Sequence, residues 1–209
     1  MSVDLWLAFV AASTALLVIP GPTVLLVLSY ALSQGRKVAV ASAAGVALGD
    51  FIAMTASLLG LGALVLASAT LFTALKWVGA VYLVWLGIKL IRSAGGATLT
   101  ELPQTHRITP ARIFGHNAAV TALNPKSIAF FIAFVPQFLR PEAPLGPQFA
   151  ILVATFVSLA AMNALAYALL ADRLRARIAR PGVIAWLTRA GGATLVTMGL
   201  LTASLRRAV

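Results

Sequence analysis

The stretch LLVIPGPTVLL, Leu16 to Leu26, places two prolines around a glycine in the middle of an apolar run. That run extends from Leu5 to Leu32 and holds no charged residue. A helix that crosses a bilayer needs about 20 mainly apolar residues, so the run is long enough to span. It is too long for a signal-peptide core, and Asp4 is the only charge ahead of it, so it reads as a retained helix. Proline removes a backbone donor and clashes with the preceding turn. Pro20, Gly21 and Pro22 together should break the helix rather than kink it. Freed backbone groups are tolerated at membrane depth only where protein encloses them around a polar cavity. The break therefore predicts a polar site near the midplane.

The rest of the chain has the same character. Hydrophobic residues make up 61% of its 209 residues and charged residues only 10%, with mean hydropathy +0.98. A soluble domain carries about a quarter charged residues and could not hide so much apolar surface. Disorder and an ordinary soluble globule are excluded, which leaves an all-α, polytopic membrane protein. The net charge of +11 does not signal nucleic acid, because the Lys and Arg residues sit at the ends of apolar runs rather than in one stripe. There is no cysteine, so disulfides, thiolate metal sites and dithiol relays are excluded.

Six spans are expected. After Leu5–Leu32 come Val38–Ala67, Phe72–Ile91, Ile113–Leu139, Phe149–Ala171 and Val183–Leu205. The sixth is the weakest because it contains Arg189, whose side chain must snorkel. Arg36, Lys37, Lys89, Arg92, Arg107, Arg112, Arg173, Arg175, Arg177, Arg180 and Arg189 fall on one side. Lys76, Arg140, Arg206 and Arg207 fall on the other. The positive-inside rule then places both termini outside. The connection at about 93–111, with Gly95, Gly96, Pro103 and Pro110, is the one long linker. It divides a single transporter domain into repeat 1 (about 5–91) and repeat 2 (about 113–205).

The two halves correspond. Asn124-Pro125-Lys126 interrupts the fourth run as Pro20-Gly21-Pro22 interrupts the first. Gly49-Asp50 matches Met162-Asn163, and Lys76, Gly79 and Ala80 match Arg189, Gly192 and Ala193. Three helices per half give the halves opposite orientations, which is an inverted-topology repeat. Secondary transporters built this way bind substrate at discontinuous helices near the midplane. Substrate contacts are thus expected at Pro20, Gly21, Pro22, Asn124, Pro125 and Asn163.

Asp50 is the one acidic residue deep in an expected span and Lys126 the one deep cation. A central Asp costs about 2.5–3.5 kcal/mol on insertion scales, so something must offset it. Either the two form a static pair, or Asp50 exchanges a coupling proton with Lys126 as counter-charge. Asn163 either contacts substrate or caps a broken helix, and Asn124 caps the second half of helix four. Gly45 and Gly49 form a close-packing face. Tyr30, Trp77, Tyr82, Trp85 and Trp186 read as interface anchors or packing. His106 and His116 lack a second ligand at metal-site spacing.

At this point the chain resembles the LysE/RhtB-type amino-acid exporters. The resemblance rests on Pro20-Gly21-Pro22, on Gly45-Val46-Ala47-Leu48-Gly49-Asp50, on Lys76-Trp77-Val78-Gly79-Ala80-Val81-Tyr82-Leu83, and on Asn124-Pro125-Lys126. It covers about Leu5 to Leu205. It implies export of amino acids or derivatives, such as threonine, homoserine, homoserine lactone, leucine, lysine or arginine, driven by the proton motive force. No position of these motifs departs from the family pattern.

The expected function is therefore secondary active export of a small zwitterion, one proton entering as one substrate leaves. No cofactor and no enzymatic constellation is expected, and a homodimer is left open. The alternative is a metal-ion or other small-solute exporter on a related architecture. It would need several carboxylate, His, Met or Cys ligands in the pore.

Overall fold

Proline decides where the first and fourth apolar runs stop being single helices. In the computed structural model, which describes residues 1–19, 21–67, 69–94, 108–140, 143–178 and 181–204, α1 (Val3–Val18) ends before Ile19. The chain resumes at Gly21, whose extended backbone caps α2 (Pro22–Gln34) with Pro22 in the first turn. Proline is tolerated there because the first-turn N–H has no helical partner anyway. The fourth run repeats the device. α5 (Pro110–Ala122) stops at Leu123, and Asn124 caps α6 (Pro125–Ala133), again with proline in the first turn. The pair α1 and α2 is bent by 55°, and the pair formed by α5 and the segment from Pro125 to Phe138 by 45°.

The other helices run unbroken: α3 (Ala39–Ala67), α4 (Ala69–Ser93), α7 (Leu145–Ile178) and α8 (Pro181–Ser204). Two short 3-10 turns, Arg36–Val38 and Val135–Phe138, complete an all-helical chain among the described residues. Among the described residues two stretches, Arg36–Ala63 and Leu145–Ala171, are long and apolar enough to cross a membrane, or four if each bent pair counts as one span. α4 and α8 reach 25 and 24 residues. Arg189 lies on an exposed face of α8. Pro20, most of the linker at 93–111, Arg180, the side chains of Lys76, Arg173, Arg175 and Arg177, and Leu205 to Arg207 lie outside what the structure describes.

Helix approach is set by glycine. A Cβ on Gly49 would sit 2.6 Å from both the Ala118 carbonyl oxygen and Thr121 Cβ. Gly45 likewise abuts Phe114 and Asn117, so α3 and α5 touch backbone to backbone. The small-residue face expected from the sequence is this contact. α4 packs along α8 in the same manner, with Gly87 facing the Gly192 carbonyl at 2.5 Å from its would-be Cβ. The aligned pair Gly79 and Gly192 does not make equivalent contacts, since Gly79 meets Ala133 of α6. α3 and α7 pack against each other. An aromatic cluster fills the space between α1, α6 and α7. Phe131 meets Phe156 edge-on at 4.8 Å, and Phe9 meets Phe138 at 5.3 Å.

Candidate functional site

A helix that stops inside a protein leaves its last carbonyls without intrahelical partners. In hydrocarbon each such group costs several kcal/mol unless another donor reaches it. At the end of α1 four successive carbonyls meet this problem, and side chains from the second half of the chain solve it. The Lys126 ammonium donates to the carbonyls of Leu16 at 3.0 Å and Ile19 at 3.2 Å. Asn163 Nδ2 donates to Leu17 at 3.0 Å, and the Tyr167 hydroxyl to Val18 at 2.7 Å. A helix C-terminus carries a partial negative charge, which suits a cation.

The opposite end of the break is built on caps. Asn124 Oδ1 accepts from the backbone N–H of Lys126 at 3.0 Å, fixing the first turn of α6. Its Nδ2 donates to Thr23 Oγ1 at 3.1 Å, and the Thr121 hydroxyl lies 3.4 Å from the same oxygen. The two interrupted helices are thus tied together through their breaks. Gly21 is small for a stated reason: a Cβ there would stand 3.2 Å from Lys126 Nζ.

These groups enclose a small cavity of about 30 Å³. Leu16, Gly21, Thr23, Asn124, Lys126 and Asn163 line it, and Asp50 faces it from α3. That volume holds a water or two and no amino acid. Asp50 is 2% exposed, and its Oδ1 has no hydrogen-bond partner. Among the described residues no ion pair within 4.0 Å joins it to Lys126. Lys126 is engaged by carbonyls, while Asp50 Oδ1 shares the cavity without a partner.

The residues singled out in the sequence divide cleanly. Gly21, Asp50, Asn124, Lys126 and Asn163 converge on the cavity. Pro22 and Pro125 do not line it: both are exposed and act by starting α2 and α6. Pro20 lies outside the described residues. Asn163 turns out to cap α1, and Asn124 caps α6 as its position before Pro125 implied. Tyr167, Thr23 and Ser127 were missed. Tyr167 had a legible signal: it lies four residues after Asn163, on the same face of α7. Tyr30 is no free anchor, because its hydroxyl lies 2.6 Å from His116 Nδ1 and links α2 to α5. Trp77, Trp85 and Trp186 are at least half exposed, as interface or lipid-facing residues are.

Known proteins resemble this sequence. The family model described as LysE type translocator matches residues 14–205. A homoserine/homoserine lactone efflux protein of Salmonella typhimurium is 37% identical over 208 residues, covering 100% of both chains. An uncharacterized membrane protein of Vibrio cholerae is 32% identical over 98% of each chain. A leucine efflux protein of Salmonella choleraesuis is 33% identical over 151 residues, 70% of this chain and 69% of its own. No solved structure matches the chain.

Proposed function

The chain belongs to the LysE type translocator family, transporters and not enzymes, and on that premise we propose that it exports small α-amino compounds from the cytoplasm by proton antiport. Homoserine, homoserine lactone and leucine are the first candidates, by likeness to the relatives that carry those names. The family resemblance adds threonine and the basic amino acids. All share a primary ammonium beside a carbonyl carbon, and the lactone alone lacks a carboxylate.

The observation that carries this reading is the small cavity, lined by Asp50, Asn124, Lys126 and Asn163, between two interrupted helices. An inverted repeat of two three-helix halves gives the breaks a common origin: α1 to α4 form one half and α5 to α8 the other. Both halves open with an interrupted helix whose second part starts at proline. Six spans with both termini in the periplasm fit the distribution of Lys and Arg. The membrane is the bacterial inner membrane.

The mechanism follows from the same groups. Asp50, buried with a free carboxyl oxygen, accepts the coupling proton and releases it on the other side. Lys126 supplies the counter-charge. Substrate binds between the helix ends at Gly21, Asn124 and Asn163, with Pro20, Pro22 and Pro125 shaping the break. Rocking of one half on the other moves access from one face to the other.

Efflux from cells preloaded with labelled threonine, homoserine, leucine, lysine or arginine tests the reading. Faster loss of one compound in cells carrying the protein, abolished by an uncoupler, is the expected result. Unchanged loss across the panel and for homoserine lactone, with the protein shown to be in the membrane, contradicts it.

A further inference from the structure

Three donors satisfy the four carbonyls at the end of α1, and they are not equivalent. Asn163 and Tyr167 are neutral, short and fixed on α7, each serving one carbonyl. Lys126 serves two, Leu16 and Ile19, from the end of a flexible four-carbon stem. What it brings there is a primary ammonium. An ammonium presents three donors on one cationic centre, and the α1 terminus offers acceptors on a partial negative charge.

The opposite wall carries the second observation. Asp50 is buried in the same cavity, and its Oδ1 has no hydrogen-bond partner. A buried carboxyl oxygen without a partner is costly. The nearest cation in the cavity is engaged with carbonyls instead.

We propose that the carbonyls of Leu16 and Ile19 are the substrate's ammonium site, and that Lys126 holds it as a tethered stand-in while no substrate is bound. A primary ammonium entering the cavity takes these two carbonyls. The displaced Lys126 ammonium swings to Asp50, which gives Oδ1 its missing partner and opens room in the cavity. Tyr167 and Asn163 are positioning residues: by holding the carbonyls of Val18 and Leu17 they fix the direction of the two between which the ammonium binds. Recognition then rests on the amine, and the carboxylate is dispensable. This rests on the export reading above and names the group that the site selects.

The experiment is competition binding on the full-length protein in lipid nanodiscs. Labelled L-leucine or L-homoserine lactone is the probe, and leucinamide and N-acetyl-L-leucine are the competitors. Leucinamide keeps the amine and loses the carboxylate; N-acetyl-leucine does the reverse. Leucinamide is expected to compete within about tenfold of leucine, and N-acetyl-leucine to be at least about 100-fold weaker, since two charge-assisted hydrogen bonds are lost. N-acetyl-leucine competing as well as leucine overturns the inference while leaving export intact. Wild-type protein that binds neither probe nor any solute of the efflux panel overturns the export reading, and the inference with it. Lys126→Met removes the stand-in and is expected to bind leucinamide at least about tenfold tighter. A purely structural lysine gives unchanged or weaker binding in that variant, which overturns the stand-in role. If Lys126→Met does not fold, the wild-type competition still decides.

Discussion

Asp50 and Lys126 face one cavity from α3 and α6 without pairing: the ammonium is bound to the Leu16 and Ile19 carbonyls, and Asp50 Oδ1 has no hydrogen-bond partner. Two ionisable groups in so small and buried a space still couple, because low local dielectric strengthens the interaction of charges. Removing either alone leaves the other uncompensated. The double variant Asp50→Asn/Lys126→Met is therefore expected to melt higher than the sum of the single effects implies. The coupling should be about 0.5–3 kcal/mol. Thermal unfolding of the four proteins in detergent measures it, and additive shifts would contradict the shared cavity.

The capping of α1 by the second half makes a graded series. Tyr167→Phe removes one hydroxyl and keeps the ring, so it should cost about 1 kcal/mol, the scale of interhelical hydrogen bonds in membranes. Asn163→Leu leaves the Leu17 carbonyl without a donor and should cost about 1–3 kcal/mol. Equal melting temperatures for both variants and wild type would show that the carbonyls find other partners.

Asn124 is the N-cap of α6. Asn124→Ala should lose about 1 kcal/mol, as N-cap deletions typically do, while Asn124→Asp or Asn124→Ser keeps an acceptor for the Lys126 N–H. The informative readout is the difference between Ala and Ser in the same melting assay. An alanine variant as stable as the serine variant would mean that the cap carries no weight.

Close backbone contact makes Gly49 intolerant. Gly49→Ala drives a methyl into the Ala118 carbonyl and Thr121. Overpacking of this kind costs about 1–3 kcal/mol, and α3 must move off α5, taking Asp50 with it. Gly60→Ala is the control. Its Cβ would meet nothing within 4 Å, so it should be neutral or gain up to about 1 kcal/mol from helix propensity. Efflux lost in Gly49→Ala and kept in Gly60→Ala is the expected pattern.

The sequence carried the helical class, the membrane character and the two breaks, because proline chemistry and apolar runs act locally. It also carried the identity of Asp50, Asn124, Lys126 and Asn163, since polar residues stand out in apolar helices. It could not carry who meets whom. The Lys126 stem folds back to carbonyls 107 and 110 residues away, and backbone acceptors leave no trace in residue type. That is why the sequence offered Asp50 as the natural partner of Lys126. Tyr167 was hidden for a related reason: a tyrosine in a membrane helix reads as an interface residue unless its spacing from Asn163 is noticed. Pro22 and Pro125 were legible as breakers, and the structure shows that breaking is what they do.

The central claim is that Asp50 couples proton entry to solute exit, and Asp50→Asn tests it most directly. Purified wild-type and variant proteins would be reconstituted into vesicles, and accumulation of labelled homoserine lactone or leucine followed after imposing a pH gradient. The expected result is gradient-driven accumulation by wild type and none by Asp50→Asn, with the variant still inserted and still exchanging labelled for unlabelled solute. Full gradient-driven accumulation by Asp50→Asn would contradict the account and remove Asp50 from the coupling step.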